Sequence, residues 1–328
     1  MNYNLLLAFL NLLFVSLLVG EDAVIGKLEI LDQRMGDFFD SDPYIEVLAT
    51  GFNWSEGPVW VPKLNGVLFS DVPENKAYLW TEKRGLEVFL DPSGYTGYTT
   101  NKDKSGSNGL AVDQEGNLIL CQHGDRRIAK FNQWESRIPV YETVVDRFET
   151  KRFNSPNDLV VSKDGSIFFT DPPYGLKGKD EDPLKEISCN GVFKWSANGD
   201  VTLINGELAR PNGIGLSLDE KTLYVANSDR AYPVIIAIDL TTEDYETSLF
   251  FDGSTLAKER KGLFDGLKIH SSGTIFATGP GGVLVIDAGG KHLGTILLAN
   301  RTANCVFNPS GTYLYMAADS VLARVRIK

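Results

Sequence analysis

Six short polar stretches recur along the chain, each with a carboxylate or an amide at the same place. They are Glu56 in Ser55-Glu56-Gly57-Pro58, Asn108 in Ser107-Asn108-Gly109-Leu110, Asn157 in Pro156-Asn157-Asp158-Leu159, Asn212 in Pro211-Asn212-Gly213-Ile214, Asp265 in Phe264-Asp265-Gly266-Leu267 and Asn304 in Ala303-Asn304-Cys305-Val306. Two carboxylates and several amide oxygens, with no thiolate or clustered imidazole among them, make a donor set suited to a hard cation such as Ca²⁺ or Mg²⁺. Asn-Gly and Asp-Gly pairs most often form turns. Here they open apolar runs at a repeating position, and the Gly-containing turns come later, as in Asp113-Gln114-Glu115-Gly116 and Ser271-Ser272-Gly273.

The elements that must carry these residues follow from the spacing. Successive polar positions lie 52, 49, 55, 53 and 39 residues apart. After most of them come an apolar run, a Gly turn and a second apolar run, such as Leu118–Cys121, Ile167–Thr170, Thr274–Ala277 and Tyr313–Met316. Short runs joined in this way read as hairpins, and periods of this length point to repeat arrays and propellers. The expectation is an all-β, six-bladed β-propeller with four-stranded blades around a central metal site. In the second unit the strands are expected at 109–112, 117–121, 127–131 and 140–145. Ile45–Thr50 is expected to close the ring by joining the last blade beside Val321–Ile327, leaving no unpaired edge. In such blades the innermost strands start on one face, and the loops from second to third strand return to it. The six polar residues should therefore converge near the axis, rimmed by 71–75, 123–126, 171–189, 228–233 and 279–282.

Composition is that of an ordinary globular protein, 43% apolar and 23% charged. A net charge of −11 and the lack of a basic stripe argue against nucleic acid or an anionic membrane as partner. The N-terminus stands apart: Leu5–Val19 is almost wholly apolar and precedes an acidic start at Glu21. It has the form of a secretory h-region, with Gly20 as the cleavage residue, although no Lys or Arg precedes it. Residues 1–20 are therefore expected to be a signal peptide, with an uncleaved anchor as the alternative, and 21–328 a single propeller domain. The mature protein would then be exported, to periplasm, secretory lumen or medium, with no stable membrane association. The chain has three cysteines, Cys121, Cys189 and Cys305, so at least one is unpaired, and they lack the spacing of a zinc site. Of two glycosylation sequons, at Asn53 and Asn300, the second is better placed, because Asn53 adjoins the proposed metal position.

Several of these motifs resemble one family. Ser55-Glu56-Gly57-Pro58-Val59-Trp60, Asn154-Ser155-Pro156-Asn157-Asp158, Phe169-Thr170-Asp171-Pro172-Pro173-Tyr174-Gly175, Pro211-Asn212-Gly213 and Asp265-Gly266 are similar to the gluconolactonase branch of the SMP-30/gluconolactonase/luciferin-regenerating-enzyme family. The resemblance runs from about residue 40 to the C-terminus. It implies a six-bladed propeller with one divalent metal on its axis, held by Glu56, Asn157, Asn212 and Asp265. Ca²⁺ is the first choice of ion, with Mg²⁺, Mn²⁺ and Zn²⁺ as alternatives. Asn108 and His123 would line the pocket near substrate, and Tyr174 and Arg210 are further candidates for contact with a polyol or acid group. Ser155 stands where some animal members carry Arg, so the sugar-acid contacts of that branch do not transfer.

The chemistry implied is hydrolysis of a sugar lactone or related cyclic ester. A bound cation polarises the carbonyl, and a carboxylate takes the proton of attacking water. Asp265 is the first candidate for the base and Glu56 the second. No Gly-x-Ser-x-Gly elbow supports a serine nucleophile. His270 and His292 fall in or near hairpins away from the site face and are expected to be structural. The charged stretch 175–189 reads either as a solvated excursion or as a lid. Two other functions share the design: metal-dependent phosphotriester hydrolysis, favoured by an apolar pocket, and non-catalytic binding by an exported propeller.

Overall fold

A computed structural model describes residues 26–101 and 103–328; the apolar leader lies outside the described residues. Six antiparallel sheets stand around a central axis. Blade 1 comprises Ser55–Val61, Gly66–Asp71, Lys76–Thr81 and Gly85–Leu90, from the axis outward. Blade 2 comprises Ser107–Val112, Leu118–Gln122, Arg127–Phe131 and Glu142–Val145. Blade 3 is Leu159–Val161, Ile167–Asp171, Gly191–Trp195 and Val201–Asn205. Blade 4 is Pro211–Leu216, Thr222–Asn227, Val234–Asp239 and Thr247–Asp252. Blade 5 is Leu267–Ile269, Ile275–Gly279, Gly282–Ile286 and His292–Leu298.

Blade 6 closes the ring as the sequence predicts. Its inner three strands, Asn304–Phe307, Tyr313–Ala318 and Val321–Arg326, come from the C-terminus, and its outer strand is Ile45–Thr50, paired antiparallel with Val321–Arg326. Blade 5 differs from expectation by one strand. Gly26–Ile30 pairs with His292–Leu298 and makes this sheet five-stranded.

The second strand of each blade is apolar on both faces because each face packs against a different neighbour. In blade 2, Leu118 and Leu120 join the core shared with blade 1, whereas Ile119 and Cys121 join the core shared with blade 3. A separate apolar core fills each of the six blade interfaces. At roughly 1.5–3 kcal/mol per fully buried large side chain, these interfaces hold the ring closed. Met35, Phe38 and Phe39, on and just after the short 3₁₀ turn Gln33–Asp37, add a wedge to the interface of blades 5 and 6. Cys121 and Cys305 are buried in these cores as small apolar groups, and all three cysteines are free.

Candidate active site

The residues that open the inner strands sit where adjacent blades come closest. Gly109 N–H donates to Asn157 O at 2.7 Å, Gly213 N–H to Asp265 O at 2.9 Å and Gly266 N–H to Ala303 O at 2.8 Å. A Cβ on Gly213 would lie 2.1 Å from Asp265 O, and one on Gly57 2.0 Å from Asn108 O. The glycine of the repeated pair is thus required by close backbone approach, not by a turn. Hydroxyls on three second strands tighten the same ring. Ser70 Oγ donates to Asn108 O at 2.9 Å, Thr170 Oγ1 to Asn212 O at 2.8 Å and Thr278 Oγ1 to Ala303 O at 2.8 Å.

The segments leading into the inner strands are held by carboxylates at the ends of second strands. Asp171 accepts from Asn154 N–H and Ser155 N–H, both at 2.7 Å. Asp71 does the same for Asn53 and Trp54 at 3.0 and 3.1 Å. Asn227 accepts from Arg210 N–H at 2.9 Å. Polar side chains in these segments are therefore presented at fixed positions on one face.

That face holds a cavity of about 540 Å³, and Glu56, Asn108, His123, Asn157, Tyr174, Asn212 and Asp265 all line it. Asn304 does not. It is buried and reaches across to the opposite blade, donating from Nδ2 to Asp158 Oδ2 at 3.1 Å while accepting from Lys268 Nζ at 3.2 Å. Arg210 is the other departure from expectation. It is absent from the cavity lining and pairs instead with Asp180. The guanidinium thereby pins the loop 175–189, which is anchored at both ends by buried Leu176 and Ile187. The charged residues of that loop are mostly exposed, but its backbone is tied down, with Asn190 Nδ2 donating to Asp180 Oδ1 at 3.0 Å.

Ser155 is fully buried and spent on structure. Its Oγ donates to Pro172 O at 2.6 Å and accepts from Gly175 N–H at 2.8 Å, which shapes the turn that carries Tyr174. His270 packs edge-on against Phe38 and near Phe307, and His292 against Phe251 with its Nε2 3.0 Å from Thr295 Oγ1; both are structural.

The electrostatics of the cavity are those of carboxyls crowded together away from water. Burial, reinforced by the charge of Asp158, pushes Glu56 up to about 7. Burial, with Glu56 and Asp158 as neighbours, raises Asp265 well above the usual carboxylate range. Burial lowers His123 to about 4 against the opposing influence of Asn157, so its imidazole is neutral at pH 7. Tyr174 is pushed up to about 12 by burial and stays a phenol. Asn157 Nδ2 donates to Asn212 Oδ1 at 2.8 Å. Asn157 Oδ1, Asn108 Oδ1 and His123 Nε2 are buried and have no hydrogen-bond partner in the protein.

Those unpaired oxygens beside two crowded carboxyls are what a hard cation and a hydroxylated ligand would satisfy. Among the described residues no cluster of three or more His, Cys, Asp or Glu side chains is arranged for a metal. The cavity lining among the described residues holds no cysteine and one histidine, His123, so the donors present are chiefly carboxylate and amide oxygens.

Sequence reasoning missed part of the lining. Trp54, Asp103, Ser105, Leu263, Arg301 and Thr302 line the cavity from segments leading into inner strands. Their common signal is position, a few residues before four of the repeated polar residues, Glu56, Asn108, Asp265 and Asn304. Val72, Pro73, Ser228 and Arg230 also line it, and they lie within the rim loops expected from the repeat.

Comparison with known proteins agrees with this geometry. Residues 54–320 match the SMP-30/Gluconolactonase/LRE-like region, and the chain belongs to that family. It is 40% identical to a gluconolactonase of Zymomonas mobilis over 314 residues, covering 93% of this chain and 87% of that one. It is 26% identical to a pentonolactonase of Haloferax volcanii, covering 76% and 75%. Among solved structures, a gluconolactonase of Xanthomonas campestris superposes with a TM-score of 0.80 at 26% identity, covering 92% of this chain and 95% of that one.

Proposed function

We propose that this chain is a lactonase that opens a sugar lactone of the gluconolactone type in a reaction dependent on one divalent cation, with Ca²⁺ the first candidate. The observation that carries this reading is the meeting of Glu56, Asp265 and the unpaired oxygen of Asn157 in one cavity on the axis. Glu56, Asn157, Asn212 and Asp265 would hold the cation, which would supply Lewis-acid polarisation of the lactone carbonyl.

The chain's own groups account for the rest of the reaction. Asp265 is assigned the proton-accepting role by its place in the cavity with Glu56 beside it; a bound cation would lower the basicity that burial raises. Water adds to the carbonyl carbon as its proton passes to the carboxylate. The ring carbon–oxygen bond then breaks, the proton returns to the departing oxygen, and a hydroxy acid results. Asn108 Oδ1 is free to accept from a substrate hydroxyl, neutral His123 offers Nε2 without adding charge, and the Tyr174 phenol lines the same cavity beside Ser228 and Asn212. Asn108, Ser105, Ser228 and Thr302 give the lining partners for a polyol, alongside the apolar Trp54, Val72, Pro73 and Leu263; the lactonase relatives favour the lactone over a phosphotriester. The apolar leader supports an exported enzyme.

Hydrolysis of aldonolactones, aromatic lactones and a phosphotriester by the chain from residue 21 onward tests this. Each is measured with metal stripped and with Ca²⁺, Mg²⁺, Mn²⁺ or Zn²⁺ restored. The expected result is cation-dependent turnover of aldonolactones, lost in Asp265→Asn. Phosphotriester turnover alone, or none with a bound cation, overturns the reading in favour of the phosphotriesterase or of a binding propeller.

A further inference from the structure

We propose that Arg230 and Arg301 form an anion subsite at the cavity mouth, so that the preferred lactone carries a carboxylate or phosphate away from its ring carbonyl. The inference rests on the lactonase reading and deepens it. Arginines in this chain are almost all spent: every one except Arg230, Arg301 and Arg326 has a carboxylate within ion-pair distance among the described residues. Two of those three exceptions line the one cavity that holds Glu56 and Asp265. In a chain of net charge −11, unpaired guanidinium groups at that place are not a by-product of a basic surface.

Their local setting preserves their donors for a ligand. Arg301 lies over the Trp54 ring, 5.6 Å from its centroid, a contact that orients a guanidinium through its flat face and leaves its edge N–H groups free. Arg230 makes one long hydrogen bond, from Nη1 to Ala257 O at 3.4 Å. The two residues also share an adjoining depression with Lys261 and Asp319. With a divalent cation offsetting Glu56 and Asp265, the charges left on the lining among the described residues are Asp103 on the lead-in to blade 2 and the two arginines on blade 4 and the lead-in to blade 6. An anionic substituent is therefore drawn to the blade 4–6 side and repelled from the blade 2 side, which orients the ring between them. Guanidinium edges bind carboxylate or phosphate by paired charge-assisted hydrogen bonds, and binding energy from such a remote group sharpens selection.

Steady-state kinetics of the cation-loaded enzyme on three lactones of one ring size decide the matter: a neutral aldonolactone, one with a terminal carboxylate and one with a terminal phosphate. The expected result is a kcat/KM about tenfold or more higher for an anionic lactone, a ratio that corresponds to one good charge-assisted contact. The advantage should reside mainly in KM. Arg230→Gln and Arg301→Gln should each cut the ratio severalfold, the double variant should abolish it, and high salt should shrink it. Whichever anionic lactone gains more identifies the group read. Equal kcat/KM for neutral and anionic lactones, or a ratio unmoved in the double variant, overturns the proposal. If no lactone is turned over, the lactonase reading fails, and calorimetry with a polyol phosphate against the bare polyol still tests the subsite. Arginine-dependent preference for the phosphate sustains it, and equal binding ends it.

Discussion

Asp171 and Asp265 are both buried carboxyls raised by desolvation, yet they do different work. Asp171, pushed up to about 7 by burial, is met by two backbone N–H groups at 2.7 Å, which pull the other way. Asp265 is met by Glu56 and by the charge of Asp158. One carboxyl is satisfied by the fold; the other is surrounded by groups of its own sign and opens on a cavity. A raised pKa is thus shared by a carboxyl built into the fold and by one that faces the cavity, and the inventory of partners separates them.

The largest effect that would break this contrast is on turnover. Asp265→Asn keeps the shape of the side chain but removes its charge and basicity, and kcat for lactone hydrolysis should fall by roughly 10²–10³-fold or more. Its melting temperature in the absence of added cation should stay level or rise, because an uncompensated charge has been taken out of the interior.

The next effect is on stability against pH, measured by calorimetry on metal-stripped protein. Glu56 has a folded pKa of about 7 against an ordinary 4.5. Its contribution is therefore full below about pH 4.5 and is lost as pH rises through 7, a swing of about 3 kcal/mol. His123 runs the other way. Depressed to about 4 from 6.5, it contributes above about pH 6.5 and loses that contribution as pH falls through 4. Between about pH 4.5 and 6.5 these two slopes offset each other, and Asp171, raised to about 7 in the same direction as Glu56, tips the balance, so that stability should decline from about pH 4.5 through pH 7. Saturating Ca²⁺ should remove the part of the alkaline decline that belongs to Glu56 and leave the part that belongs to Asp171. A Ca²⁺-independent profile would show that Glu56 is not a ligand.

Asp171→Asn tests the other side of the contrast. An amide in that place turns one N–H toward a backbone N–H, and the cost should be about 1–3 kcal/mol in denaturant unfolding. The folded fraction should keep a far larger share of its turnover than Asp265→Asn does. The smallest effect belongs to Ser155→Ala, which leaves Gly175 N–H without its 2.8 Å acceptor. It should cost about 1 kcal/mol and raise KM more than it lowers kcat, since the turn it shapes carries Tyr174.

Much of this contrast was legible before the fold was seen, for a physical reason. The six polar residues recur at the head of each inner strand, and their spacing reveals both blade number and site; at four of them, Gly57, Gly109, Gly213 and Gly266, the close approach of neighbouring strands leaves room only for glycine next in sequence. Ring closure by Ile45–Thr50 was legible because an open propeller leaves an edge. Gly26–Ile30 was not, since whether an outer edge gains a fifth strand depends on where a distant segment lands and leaves no local pattern. Arg210 was misplaced because proximity to Asn212 in sequence does not determine which way a long side chain turns, and Asp180 captured it. Asp158 and Asn304 carry the same residue types as ligands, and only the structure shows them joined to each other and to Lys268 across the axis.

The central claim is that the carboxylate–amide set on the axis holds one catalytic cation. Its most direct test is to titrate Ca²⁺ into metal-stripped protein while recording bound ion per chain and gluconolactone turnover together. Activity is expected to rise in proportion to occupancy and level off at one ion per chain, and Glu56→Gln and Asp265→Asn should lose both. Full turnover from protein free of divalent ions would contradict it.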